Sequence, residues 1–259
     1  MSICAPPFLG LCELIERDAF LVTWLNRLPA PEIRIAGSTS IAAEFAAHYR
    51  RFGIETHLFL LATDMPVDAM MAGLVDPSGK QPAVCVGLGC NADPLIAAQK
   101  ALFEVSQVRP GAVARATAPD FVETLHDYRD VRTLDDHGAF FSAPERLSEL
   151  GFLLQRGCTR DLDSLPPLGG EPGEDLDRLV AALRCAGCRV LYADLTTPDL
   201  EPFPVRVVRT LATGLQPIHF GYGEERLDGT RLYRLPRLLG YGTSDRDEAS
   251  LNPCPHPLP

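Results

Sequence analysis

What this chain has little of narrows its class first. No apolar run approaches the roughly 18 residues a membrane-spanning helix needs, and no cationic stretch is followed by an apolar run and a small-residue cleavage site. These absences point to a cytoplasmic protein with no membrane partner. Basic residues are the scarcer charge, 24 against 34 acidic ones, for a net charge of −10. Without a basic stripe, duplex nucleic acid is not an expected partner. The cysteines (4, 12, 85, 90, 158, 185, 188 and 254) are scattered, not framed like a small secreted scaffold, so free thiols are expected. Cys185-Ala186-Gly187-Cys188 is the lone C-x-x-C. Zinc there would need a second pair, and Cys85 with Cys90 is the one candidate; redox activity and ordinary packing are the other readings. No internal repeat is visible.

What is present suffices for a buried core, as one large domain or two small ones: 259 residues, 46% hydrophobic and 22% charged. Helix is predicted over Leu11–Leu28, ended by Pro29, and around Ser40–Phe52, stopped by Gly53. Strands are predicted at Glu55–Ala62 and Pro82–Gly87, then a helix over Pro94–Val108. Pro110 to Pro144 reads as a loop with short helices, and Glu145–Leu153 as a helix. The proline- and glycine-rich stretch 165–173 is the best internal hinge. A helix over Asp175–Ala186 and strands at Arg189–Leu195 and Val205–Leu211 follow, and the last forty residues read mostly as loop. Alternating strands and helices predict a mixed α/β (α+β) body.

The final residues, Leu251-Asn252-Pro253-Cys254-Pro255-His256-Pro257-Leu258-Pro259, form a stiff, extended, polyproline-like rod, because proline fixes φ at every second position. One reading is a disordered tail or a ligand for a proline-binding domain. The other is a terminus that enters a groove at little entropic cost.

Two helical stripes carry the charges that chemistry could use. At about 100° per residue, Leu11, Leu14, Ile15, Val22 and Leu25 share one side of the first helix. Glu13, Glu16 and Arg17 share the other with Phe20 and Trp24. Such a face is either solvated, with incidental aromatics, or the lining of a partly buried pocket. On the later helix Asp93, Lys100, Glu104 and Gln107 fall within one stripe roughly 60° wide, which is an exposed face or a second wall. Facing each other, the stripes would gather carboxylates that repel unless a divalent cation sits between them. Magnesium suits such hard oxygen ligands and leaves room for nucleotide phosphates.

Gly87-x-Gly89-x-x-Ala92 also imitates the dinucleotide-binding fingerprint. The stretch after Val108 makes a poor second strand, and Asp93 and Pro94 sit badly at a pyrophosphate, so that reading is set aside. His219 is a lone histidine, read as structural or as an acid/base group. His256 is held near the terminal carboxylate by rigid backbone.

Four segments together with the tail resemble the YcaO-type ATP-dependent cyclodehydratases, which form azoline rings in ribosomal peptides such as thiazole/oxazole-modified microcins. They are Gly10-Leu11-Cys12-Glu13-Leu14-Ile15-Glu16-Arg17-Asp18-Ala19-Phe20; Gly87-Leu88-Gly89-Cys90-Asn91-Ala92-Asp93-Pro94 running into Ala101–Arg109; Gly214–Tyr222; and Arg231-Leu232-Tyr233. The resemblance covers nearly the whole chain and corresponds to the later part of a typical member. It implies β-sheets flanked by helices as a partial domain over residues 1–259, with a hinge at 165–173 and a tail at 251–259. It implies ATP and Mg2+ as cofactors, with Glu13, Glu16 and Glu104 as metal ligands and Arg17 neutralising phosphate charge. Asp93, Gln107 and Arg109 would complete the nucleotide pocket, Arg109 only if the helix breaks near Pro110. Gln99 stands where some members carry a carboxylate. The Pro259 carboxylate would be the catalytic base. The implied partners are a ribosomal precursor peptide, a leader-peptide-binding protein and, optionally, a flavin-dependent dehydrogenase; a homodimer is compatible with them. The alternative is a truncated, non-catalytic remnant or a binding subunit needing a separate N-terminal half.

Overall fold

The computed structural model describes residues 5–35, 41–118, 125–154 and 158–259; Cys4, and Ser40 at the start of the second predicted helix, lie outside them. The elements run α1 (Ala5–Leu25), β1 (Glu32–Arg34), α2 (Ile41–Arg50), β2 (Glu55–Leu60), β3 (Asp68–Val75), β4 (Val84–Asn91) and α3 (Pro94–Ala116). They continue with α4 (Leu134–Phe140), α5 (Gly151–Leu154), β5 (Thr159–Asp161), α6 (Pro172–Cys185), β6 (Val190–Asp194), β7 (Val208–Ala212) and α7 (Thr230–Leu238). The mixed α+β architecture is as the sequence implies.

Several boundaries differ from expectation for identifiable reasons. Helix α1 starts at Ala5, not Leu11, because Pro6 and Pro7 occupy the first turn, where their missing N–H groups remove no helical bond. Strand β3 was not expected from the sequence. Its Ala-Met-Met-Ala-Gly-Leu-Val run has no polar alternation, being buried on both faces. Helix α3 continues through Pro110 to Ala116. Pro110 lies on the exposed side, where water can satisfy the carbonyl left unpaired. Helix α7 arises within the stretch expected to be mostly loop.

The main sheet has strand order β4-β3-β2-β1-β5, antiparallel except for the parallel β1–β5 pair. It is covered on both faces. Met71, Val86, Leu88 and Cys90 face α1, while Met70, Ala72, Leu74 and Cys85 face α3. Helix α1 is covered from two sides, with 14 of its 21 residues buried. Its other side meets α6 through Leu179 and Leu183. It also meets the two-stranded β6–β7 sheet, where a Cβ on Gly10 would collide with Thr210.

The contact between β4 and α3 is closer still. A Cβ at Gly87 would strike the backbone of Val105 and Ala101, and one at Gly89 that of Ala97 and Ala101. These glycines therefore admit a helix onto a strand and form no phosphate-cradling turn, which removes the dinucleotide reading. The stretch 165–173 is tied down at two points along its length. Leu168 N donates to Ala92 O at 2.7 Å, and Gly170 N to the Asp175 carboxylate at 3.0 Å. Among the described residues no helix is long and apolar enough to cross a membrane.

Gly89→Ala is expected to lower the unfolding free energy by about 1–3 kcal/mol, since neither backbone can yield easily. Gly170→Ala, where a Cβ meets open space, is expected to stay within about 0.5 kcal/mol of the parent. Urea titration of both variants checks this.

Candidate active site

Among the described residues β4 ends the sheet with one edge unpaired, and a cleft of about 990 Å3 runs beside it between α1 and α3. Glu13, Glu16 and Arg17 line one wall and Lys100, Glu104 and Gln107 the other, with Leu88 among the residues at the strand. The two stripes do face each other. The Glu104 carboxylate accepts a hydrogen bond from Leu88 N at 2.6 Å, closing part of the open edge. Lys100 Nζ donates to Cys90 O at 3.1 Å from the same helix face. Arg17 pairs with Glu13 at 2.6 Å, both largely exposed.

Glu16 is the buried carboxylate of the group, 9% exposed. Burial pushes its pKa up to about 7; Lys100 opposes the rise, and Glu104 and Glu13 add to it. Burial also raises the Glu104 pKa. Further positive charge brought to the cleft would favour the ionised form of both. Among the described residues no three His, Cys, Asp or Glu stand close enough to hold an ion unaided. The donors are nonetheless of the kind magnesium takes, since it is commonly held by one or two carboxylates together with substrate phosphates and water.

Not every residue expected here arrives. Asp93 caps α3, its carboxylate accepting from Leu95 N at 2.8 Å, and it does not line the cleft. Arg109 is carried elsewhere because α3 does not break at Pro110: its guanidinium sits beside Cys85 and Tyr49. Cys85 and Cys90 point to opposite faces of the sheet, so they offer Cys185 and Cys188 no second pair for zinc. Other cleft residues escaped the sequence reading. Lys100 lay on the stripe but was given no role. Arg206 lay in the expected strand Val205–Leu211 and Phe220 in the Gly214–Tyr222 segment, and neither was given a role either.

The tail completes the cleft. It returns along α1, where Asn252 N donates to Leu25 O at 2.7 Å and Trp24 Nε1 to Cys254 O at 2.9 Å. Phe20 meets the His256 ring edge-on at 5.6 Å between centroids. The aromatics on the charged side of α1 thus pack against the tail. Residues 254–258 are buried, and Leu258 and Pro259 line the cleft beside Glu16 and Glu104. Gly138 clears the way, since a Cβ there would come within 3.2 Å of the Pro259 Cβ.

Three buried histidines fix the last turn of this path. His137 Nδ1 donates to His256 O at 2.7 Å while its Nε2 accepts from Gly221 N at 3.1 Å, a pattern that only the neutral ring satisfies. His256 Nε2 donates to His219 O at 2.8 Å, and the His137 and His256 rings stack at 4.1 Å. Burial, reinforced by His137, lowers the pKa of His219 to about 4 and that of His256 to about 3. Below the cleft, Arg231 on α7 pairs with buried Asp18 of α1 at 2.8 Å and with Asp64 at 2.6 Å. Residues 213 positions apart are joined, which no local pattern announces.

Residues 8–216 match the model of a family described as YcaO cyclodehydratase, ATP- and Mg2+-binding. An uncharacterized protein of Methanothermobacter thermautotrophicus is 30% identical over 217 residues, 81% of this chain and 52% of its own length. A heterocyclase solved in complex with substrate and cofactor superposes on 96% of this chain and 31% of its own, with a TM-score of 0.76 and 24% identity. YcaO from Methanopyrus kandleri, solved with AMPPCP and Mg2+, covers 80% of this chain and 51% of its own, with a TM-score of 0.61 and 25% identity. The chain spans at most about half the length of these proteins.

Two outcomes follow from the charges. A carboxyl whose folded pKa is raised favours the folded state at low pH and burdens it as pH rises from 4.5 through about 7. Glu16→Gln is therefore expected to stabilise the ligand-free protein at pH 8 by about 1–3 kcal/mol, and by much less at pH 5. Thermal melts at both pH values measure it. The histidines act in the opposite sense. Undocked rings titrate near 6.5 while His219 and His256 stay neutral to about 4 and 3, so docking is fully favoured above pH 6.5 and weakens as pH falls toward 4. Trp24, the one tryptophan in the chain, donates to the tail and is expected to shift its emission to the red over that window.

Proposed function

Because the chain belongs to the YcaO cyclodehydratase family, we propose that it closes a Cys, Ser or Thr side chain of a ribosomal precursor peptide onto the preceding backbone carbonyl, giving a thiazoline or oxazoline. One observation carries this reading: a single cleft gathers Glu16, Glu104, Arg17 and Lys100 and is completed by the chain's own terminal Pro259. When bound, magnesium-ATP would supply the phosphoryl group that turns the former amide oxygen into a phosphate leaving group, with ADP as the other product. Glu16 and Glu104, with Glu13 at the rim, would hold the metal through their oxygens. Arg17 and Lys100 would offset negative charge at the phosphates, and Gln107 would add a neutral hydrogen-bonding group. The Pro259 carboxylate would take the proton of the attacking thiol or hydroxyl. Leu258 and Phe220 would present apolar surface in the same cleft.

A bound substrate is in keeping with the similar fold of a heterocyclase solved in complex with substrate and cofactor; that the substrate is a peptide belongs to the proposal. A leader-binding partner protein belongs to the same proposal. A second reading is a binding subunit that forms its site with another polypeptide; the chain spans about half the length of the Methanothermobacter relative.

Calorimetric titration tests the cofactor: nucleotide binding is expected with magnesium and not without it, and tight binding without metal would count against Glu13, Glu16 and Glu104. Deleting Pro257, Leu258 and Pro259 is expected to leave magnesium-ATP affinity within about twofold. The same deletion should slow ring formation about a hundredfold, since displacement by even about 1 Å is that damaging. Mass spectrometry reads each ring as one water lost. Unchanged ring formation by the shortened protein would overturn the role given to the terminus. Binding and rings that appear only when a second polypeptide supplies the remaining length would select the second reading.

A further inference from the structure

A second cavity, of about 280 Å3, lies behind the terminal residue. Pro259 and Leu134 line both this cavity and the carboxylate cleft, so the two spaces share a wall. The rest of its lining is mostly small or aliphatic, including Val84 and Val86 of β4, Val108 and Ala112 of α3, and Ala139 of α4. The charged residues at it, Arg115 and Asp135, pair with each other at 3.0 Å. Apolar surface is therefore what the cavity offers. Its volume is at the small end for a ligand pocket, which typically runs from about 300 to 1,000 Å3, and suits one side chain better than a whole molecule.

Helix α3 leaves this space open against its own propensity. Gly111 follows Pro110 inside the helix, and these are the two residues least favoured there. A Cβ at Gly111 would meet nothing within 4 Å, so packing does not demand glycine. A larger residue would strengthen the helix and occupy the cavity.

We propose that this cavity receives the side chain of the residue immediately preceding the one that cyclises, and that it selects an apolar side chain there. The inference rests on the ring-forming function proposed above. The attacked carbonyl belongs to that preceding residue, whose side chain is two bonds from the reacting carbon. It must therefore lie beside whatever group acts on the reaction, and Pro259 is the wall between cleft and cavity. On the cleft side stand Glu16, Lys100 and Glu104, which a hydrocarbon chain would desolvate without compensation. On the cavity side it meets valine, alanine and leucine.

The test uses short peptides and the methyl signals of Val84, Val86, Val108 and Leu134. Acetyl-Gly-Leu-Cys-Gly-amide is expected to shift those methyls and to bind roughly tenfold or more tightly than acetyl-Gly-Gly-Cys-Gly-amide, the scale of a hydrophobic side chain's discrimination. Acetyl-Gly-Gly-Cys-Leu-amide, with leucine on the wrong side, should leave the methyls unmoved. Gly111→Leu, which the open space and helix propensity favour for folding, should bring the first two affinities to within about twofold of each other. Equal binding of the first two peptides by the parent, shifts from the third, or a preference that survives Gly111→Leu would each overturn the proposal. Ring formation on the same peptides keeps the two readings apart. Preferential leucine binding without rings refutes the chemistry and leaves the apolar site standing. Rings formed on both peptides with equal affinity leave the chemistry and remove the site.

Discussion

Helix α3 rests on the backbone of β4, with only hydrogen at Gly87 and Gly89 between them. The rest of the site depends on that approach. An edge strand exposes unpaired N–H groups, and here the helix is near enough for Glu104 to take the one from Leu88. The same proximity lets Lys100 reach the Cys90 carbonyl, so carboxylate and ammonium are held in one row. Helix α1 approaches from the other side of the strand and sets Glu16 opposite them. Its own position is fixed by burial against both the sheet and α6. The cleft is thus a by-product of backbone geometry, and its charges are placed by elements that cannot drift.

Those charges are poorly accommodated without a ligand. Glu16 lies deep enough to favour its proton near neutrality, although Lys100 is close. Under the function proposed above, stabilising the empty protein and receiving a metal-bound polyphosphate would be opposed demands, and Glu16 would serve the second. The Asp18–Arg231–Asp64 group differs in kind. Its cation is already matched by two carboxylates, so it anchors α7 to α1 and has no charge to spare.

Much of this was legible in the residues, and the failures have local causes. The stripes on α1 and α3 follow from helical spacing alone, and Glu13, Glu16, Arg17, Glu104 and Gln107 reach the cleft they implied. The tail's stiffness left insertion open beside a disordered end or a ligand for another domain, and residues 254–258 are buried. Asp93 was misplaced because a residue on a stripe can still be consumed as a cap, a role set by the turn and not by the period. Arg109 was conditional on a proline breaking a helix, and an exposed proline bends that rule. Strand β3 was invisible because burial on both faces erases alternation. The histidine cluster joins His137, His219 and His256 across more than a hundred positions, which no single-sequence period encodes.

The placement of the terminus also carries a consequence for synthesis. A ribosome makes α1 and the sheet long before residues 252–259. The sheet and α1 can assemble while translation proceeds, but Trp24 and the carbonyl of Cys254 cannot meet until Cys254 has left the exit tunnel. The cleft is therefore the last part of the fold to be completed. Any residue placed after Pro259 would crowd the two spaces that Pro259 lines, or unseat the tail.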